Sequence, residues 1–83
     1  MSELARNPKQ IGSIIRRVRK KQGLTQAQLG EKSGLWQETI SMIEKGRPAA
    51  KLGTILAVLA VLDLEFRIET RKKGVAADIE DIF

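Results

Sequence analysis

The 83-residue sequence contains no cysteine and no histidine. Without cysteine there is no disulfide, no thiolate metal site and no thiol nucleophile. Without histidine the commonest general base and the commonest metal ligand are both missing. Ser13, Ser33 and Ser41 therefore lack an obvious activating partner, so an enzyme is not expected and no cofactor is implied. Long apolar runs are missing too. The longest mainly apolar stretch, Ile55 to Leu62, has eight residues, against the roughly 20 that a membrane span needs. The opening MSELARNPKQ holds no apolar stretch of the signal-peptide kind, so the chain reads as cytoplasmic.

Basic residues are plentiful and unevenly placed. The net charge is +5, yet residues 1–21 hold seven basic residues and one acid, a net of +6. Residues 63–83 hold four basic and six acidic residues, a net of −2. The front of the chain suits a polyanion and the tail suits something else, unless the charges only solvate a face. The length allows one small domain, and a domain of this size buries only about 60–65% of its unfolded surface. A second copy is therefore an expected source of stability.

The first helix starts at Asn7-Pro8-Lys9-Gln10: Asn7 can cap, Pro8 fits the first helical position and Gln10 can reach back. Ile11, Ile14, Ile15 and Val18 form its apolar stripe, and Gly23 ends it. Thr25-Gln26-Ala27-Gln28 is a capping box that opens a second helix of about eight residues to Ser33. Ala27, Leu29 and Gly30 keep that helix slim, and Gly34 allows the turn that follows. A third helix runs from about Gln37 to Lys45 with Ile40 and Ile43 inward and Gly46 closing it, before a loop at Arg47-Pro48.

Lys51 to Leu62 is apolar almost all round. Leu52, Ile55, Leu56 and Leu59 make one face, and Ala57, Val58 and Val61 make another. So small a protein cannot easily bury both, so one face is expected to meet a second subunit. Leu64 to Thr70 then alternates apolar and polar residues at the strand period. A lone strand leaves its backbone donors and acceptors unpaired, so its partner is expected on another chain. Leu64, Phe66, Arg67, Ile68, Val58 and Val61 are the expected dimer contacts. The last segment, 72–83, is acidic but carries Ile79, Ile82 and Phe83; it reads as a flexible tail or as a partner-binding segment.

Two short helices joined by a Gly-containing turn, Thr25 to Lys45, form a helix-turn-helix unit. The fuller pattern is Leu24-Thr25-Gln26 opening one helix, Leu29 inward, Gly34 at the turn, Ile40 and Ile43 inward, then Glu44-Lys45-Gly46. With this pattern the chain, from about Ile11 to Leu62, resembles the xenobiotic-response-element and phage-repressor family of helix-turn-helix proteins. The apolar helix followed at once by a single alternating strand is similar to the HipB type of antitoxin. That resemblance implies a mainly α fold, a four- to five-helix repressor-like domain with one C-terminal β-strand pairing across a homodimer. It divides the chain into a DNA-binding domain at 7–62, a dimerising strand at 63–71 and the tail at 72–83. It also implies a repressor of its own operon, binding an inverted-repeat operator and a HipA-like kinase toxin.

In such a unit the third helix enters the major groove by its N-terminal end. Gln37, Glu38, Ser41 and Met42 are the expected base-reading residues. Gln37 suits adenine, and Glu38 suits cytosine N4 or, equally, the helix dipole. Gln26, Thr39, Lys45, Arg47, Lys51 and Trp36 are expected along the DNA backbone, since phosphate contacts position rather than specify. For Arg16 and Arg19 a phosphate contact and a solvated face are equal alternatives. Trp36 departs from the family pattern, standing where a serine or threonine usually caps the third helix; its indole can donate to a phosphate, pack on a sugar or partner, or pack within the monomer. Ala49-Ala50 likewise offers the next helix no side-chain cap. Two other readings stand beside the antitoxin: a stand-alone repressor without a toxin, and an interaction module that reads no DNA.

Charge also fixes an expected strand register. With Arg67 on a two-fold axis, arginine faces arginine and Glu65 faces Glu69, whereas a Phe66 or Ile68 axis sets acid against arginine. Opposite charges across a strand pair contribute about 0.2–1 kcal/mol and like charges cost similarly. The dimer is expected to pair about Phe66 or Ile68, and a dimer structure with the two Arg67 side chains opposed refutes this register.

Overall fold

The computed structural model describes residues 3–47 and 50–71. The expectations for the tail at 72–83, and for Pro48 and Ala49, lie outside the described residues. Among the described residues there are four helices: α1 (Pro8–Lys21), α2 (Gln26–Ser33), α3 (Gln37–Glu44) and α4 (Leu52–Val61). This is the lower end of the four to five helices expected, the apolar segment being the fourth.

Local chemistry accounts for the helix ends. The Asn7 side chain accepts from the Gln10 backbone N–H at 2.8 Å, and Pro8 takes the first helical position. Gln10 reaches back one residue further than a capping box would, accepting from the Arg6 N–H at 2.6 Å. Thr25 and Gln28 form the reciprocal box in full, with bonds of 2.9 and 3.0 Å. At the end of α1 the Leu24 N–H donates to the Arg19 carbonyl and the Gly23 N–H to the Lys20 carbonyl, with Gly23 left-handed at φ 74°. The same closure ends α4, but there the left-handed position is Asp63 at φ 62°. A short polar side chain is among the few non-glycine types that tolerate this conformation. α4 is capped from Lys51 by backbone alone.

The core is Ile15 from α1, Leu29 from α2, Ile40 and Ile43 from α3, Val58 from α4 and Leu62 just beyond it. Ile11, Val18, Leu24, Leu35, Ile55, Leu59, Val61 and Leu64 pack around them. Among the described residues none is assigned to a strand: residues 64–71 run on from α4 without a ladder. A strand whose partner belongs to a second chain forms no ladder in a single one.

Two close backbone approaches hold α3 in place. A Cβ at Gly12 would fall on the Ile43 carbonyl oxygen and lie 2.8 Å from that of Glu44. A Cβ at Gly30 would lie 2.7 Å from the Leu35 carbonyl oxygen, so α2 lies directly on the turn into α3. Both obstacles are backbone and cannot swing aside. Gly12→Ala is therefore expected to lower unfolding free energy by about 1–3 kcal/mol, measured by urea denaturation followed by circular dichroism at one fixed protein concentration. An unchanged midpoint would show that α1 and α3 are not held at this distance.

Candidate nucleic-acid interface

α2 and α3 are joined by Gly34, Leu35 and Trp36 only. The left-handed Gly34, at φ 73°, and the Leu35 N–H bond to the Gly30 carbonyl at 2.8 Å turn the chain sharply. Leu35 tucks against the core and Trp36 is left outside, 76% exposed. The Trp36 carbonyl accepts from the Thr39 and Ile40 N–H groups, but its side chain caps nothing. Ile40 and Ile43 anchor one side of α3, which turns the opposite side outward.

That outer side forms a shallow depression lined by Gln26, Gln37, Glu38, Ser41, Met42 and Lys45. All four residues expected to read bases thus come together with two of those expected on the backbone. Trp36, Thr39, Arg47 and Lys51 are not among the lining residues. Thr39 is half-buried, whereas Arg47 and Lys51 are exposed. The lining supplies amide donors and acceptors, a carboxylate, a hydroxyl, a thioether and an ammonium, a set suited to hydrogen-bonding edges and methyl groups.

Beneath the depression lies an ion pair that the sequence reading missed. Arg19 and Glu44 are only 7% and 8% exposed. Arg19 Nε donates to Glu44 Oε2 at 2.6 Å and Arg19 Nη2 to Oε1 at 3.0 Å, while Nη1 donates to the Leu24 carbonyl at 2.8 Å. Neither alternative for Arg19, phosphate contact or solvated face, holds. Gln26 is drawn in as well, its Nε2 donating to Glu44 Oε1 at 3.2 Å. The signal lay in the spacing: Arg19 stands four residues after Ile15, and Glu44 four after Ile40. Opposite charges thus fall on two apolar stripes. Of the other α1 arginines, Arg16 is exposed and Arg17 pairs with Glu3.

The expected dimer contacts divide. Phe66, Arg67 and Ile68 are exposed, while Leu64 and Val61 pack partly on the core. Val58 is a correction. It is fully buried within its own chain, because α4 turns Val58 and Leu62 inward. The outward apolar side of α4 is instead Leu52, 59% exposed, and Leu56 one turn later.

The helix-turn-helix family profile matches residues 15–68. The chain belongs to the helix-turn-helix family. It is 37% identical over 62 residues to the uncharacterized HTH-type transcriptional regulator y4mF of Sinorhizobium fredii, covering 75% of this chain and 82% of that one. Among solved structures, the helix-turn-helix fold here is similar to HipB in a HipB–O4 20mer complex. That likeness has a TM-score of 0.79 and 30% identity, and covers 86% of this chain and all of the other. HipB in a HipA–HipB–O2–O3 complex matches with the same TM-score of 0.79. SinR, a master regulator for biofilm formation solved in complex with DNA, matches with a TM-score of 0.61 at 32% identity, over 66% of this chain and 89% of that one. The mainly α, HipB-like helix-turn-helix fold expected from the sequence is thus the fold found. No helix among the described residues is long and apolar enough to cross a membrane.

The missing cap on α3 can be supplied. Trp36 already has the extended backbone of an N-cap (φ −73°, ψ 150°) and a mainly solvent-exposed ring. Trp36→Ser is expected to raise unfolding free energy by about 1 kcal/mol, measured by denaturation monitored through circular dichroism. Destabilisation instead would mean that the indole packs on something, within the chain or on a second copy.

Proposed function

We propose that the protein is a homodimeric repressor that reads an inverted-repeat operator in double-stranded DNA. We further propose that it is the antitoxin of a type II toxin–antitoxin pair, repressing its own operon and holding a HipA-like kinase toxin. The observation that carries the DNA reading is the depression on α3, where Gln26, Gln37, Glu38, Ser41, Met42 and Lys45 converge. Placed in a major groove, Gln37 pairs with adenine N6 and N7, Glu38 accepts from cytosine N4, and Ser41 and Met42 follow along the groove floor. Gln26, Thr39, Lys45, Arg47, Lys51 and Trp36 lie along the flanking phosphates.

Two copies present two such helices to half-sites about one helical turn, roughly 34–36 Å, or a multiple apart. The contacts proposed between copies are Leu64, Phe66, Arg67 and Ile68, with Val61 at the edge and Leu52 and Leu56 in place of Val58. The antitoxin reading is supported by likeness to HipB over the whole HipB chain, one match being a complex that includes HipA. Likeness to SinR in complex with DNA supports the DNA reading without any toxin. A stand-alone repressor is therefore the second reading, and affinity capture of the tagged protein from its native cell separates the two. A co-purifying kinase-like protein favours the antitoxin, and upstream DNA without it favours the stand-alone repressor.

Binding to the DNA upstream of the chain's own coding sequence is expected to weaken with salt, with a log–log slope near −0.9 per phosphate neutralised. Gln37→Ala is expected to relax preference at one base position of each half-site, by about 1–3 kcal/mol. Arg47→Ala is expected to weaken all sequences about equally and to reduce the salt slope by about one. An unchanged site preference for Gln37→Ala removes it from the reading residues. Salt-independent binding, or none, sinks the DNA reading.

A further inference from the structure

Gln26 belongs to two structures at once: it lines the outer depression, and its amide bonds to the buried Glu44. We propose that Glu44, held by Arg19, is a positioning residue that fixes the Gln26 amide so that its second N–H faces a DNA phosphate. This rests on the DNA reading proposed above and adds to it how a contact is set before DNA arrives.

A glutamine amide has a donor end and an acceptor end, and in open solvent either can face outward. Here one choice is removed. An ionised Glu44 only accepts, so it takes the Gln26 Nε2–H at 3.2 Å; the reversed amide would set oxygen against oxygen. Glu44 cannot turn away in its own right, because Arg19 grips both of its oxygens, at 2.6 and 3.0 Å. Arg19 in turn is fixed by its third bond, to the Leu24 carbonyl at 2.8 Å. What remains free on Gln26 is one amide hydrogen and the carbonyl oxygen. A phosphate oxygen, an acceptor only, takes that hydrogen. The rotamer freedom of Gln26 is then lost on folding rather than on binding, which lowers the cost of the contact. Arg19 has a second effect: it neutralises a carboxylate that would otherwise stand close behind a phosphate site.

The free protein tests the anchoring without DNA. The Gln26 side-chain amide is expected to give a nitrogen–proton correlated pair displaced from the averaged glutamine position. An averaged pair in the wild-type protein overturns the proposal on its own, with no variant needed. In the Arg19→Met/Glu44→Leu double variant, where apolar side chains replace the ion pair and folding is expected to survive, the pair is expected to return to the averaged position. A displaced pair that ignores this replacement also overturns it.

Binding is then measured to the duplex that the wild-type protein selects from a randomised pool. Gln26→Ala is expected to weaken binding about tenfold in the wild-type background. In the double-variant background, where Gln26 has lost its anchor, the same substitution is expected to cost less than about twofold. Equal losses in the two backgrounds overturn positioning, since a merely structural ion pair leaves the Gln26 increment unchanged. If the wild-type protein selects no duplex, the DNA reading fails and the phosphate role with it, while the amide spectrum still decides whether Glu44 orders Gln26.

Discussion

The ion pair between Arg19 and Glu44 sets the relation between the helices. It joins the last turn of α1 to the last turn of α3 and, through the Leu24 carbonyl, fixes the approach to α2. An acid at the C-terminal end of a helix opposes the helix dipole, so α3 gains nothing locally from Glu44. Its place is explained by Arg19. Nor is such a pair a strong source of stability: replacing both members by apolar side chains is often neutral or favourable, whereas removing one costs about 3–5 kcal/mol. Its contribution is geometric. Gly12 works in the same direction, letting the α1 backbone rest against the last carbonyls of α3. Together a directional bond and a missing side chain leave α3 one position against α1.

With α3 so held, the apolar surface of the molecule divides into an inner and an outer part. Among the described residues six buried apolar side chains make the core, while Leu52, Leu56, Phe66 and Ile68 remain exposed on α4 and the segment after it. Fully burying a large apolar side chain is worth about 1.5–3 kcal/mol, so several together represent a sizeable free energy unused in a single chain. Residues 65–71 add backbone groups that have no backbone partner among the described residues. In the dimer proposed above a second copy covers both, and a two-fold arrangement of α3 follows from that proposal.

Much of this was readable from residue order. The Asn7-Pro8 start, the Thr25–Gln28 box, the turn at Gly34 and the inward Ile40 and Ile43 depend on neighbours a few positions away, which is the range that sequence patterns describe. What escaped depended on distance. Arg19 sits in a run with Arg16, Arg17, Lys20 and Lys21, where a cation is ordinarily solvated; a partner 25 residues away accounts for its burial. Gln26, expected along the DNA backbone, lines the depression, but its tie to Glu44 spans 18 residues and left no local trace. On α4 the pattern offered two apolar faces, and Val58 and Val61 were expected to meet a second copy. The choice was made by Leu62, which is buried and carries Val58 inward with it on the same side of the helix.

The separation between what folds the protein and what faces outward has a consequence for how such a chain can change. Gln37, Glu38 and Met42 are exposed, and none of them belongs to the buried set. Substitutions there leave core packing untouched and fall in the range of surface changes, usually within about 0.5 kcal/mol. Gln26 differs. It faces the same depression yet is hydrogen-bonded to a buried carboxylate, so changing it alters both the outer surface and the inner network. The outer residues of α3 are therefore free to vary while the start of α2 is constrained, and the constraint comes from a buried charge pair.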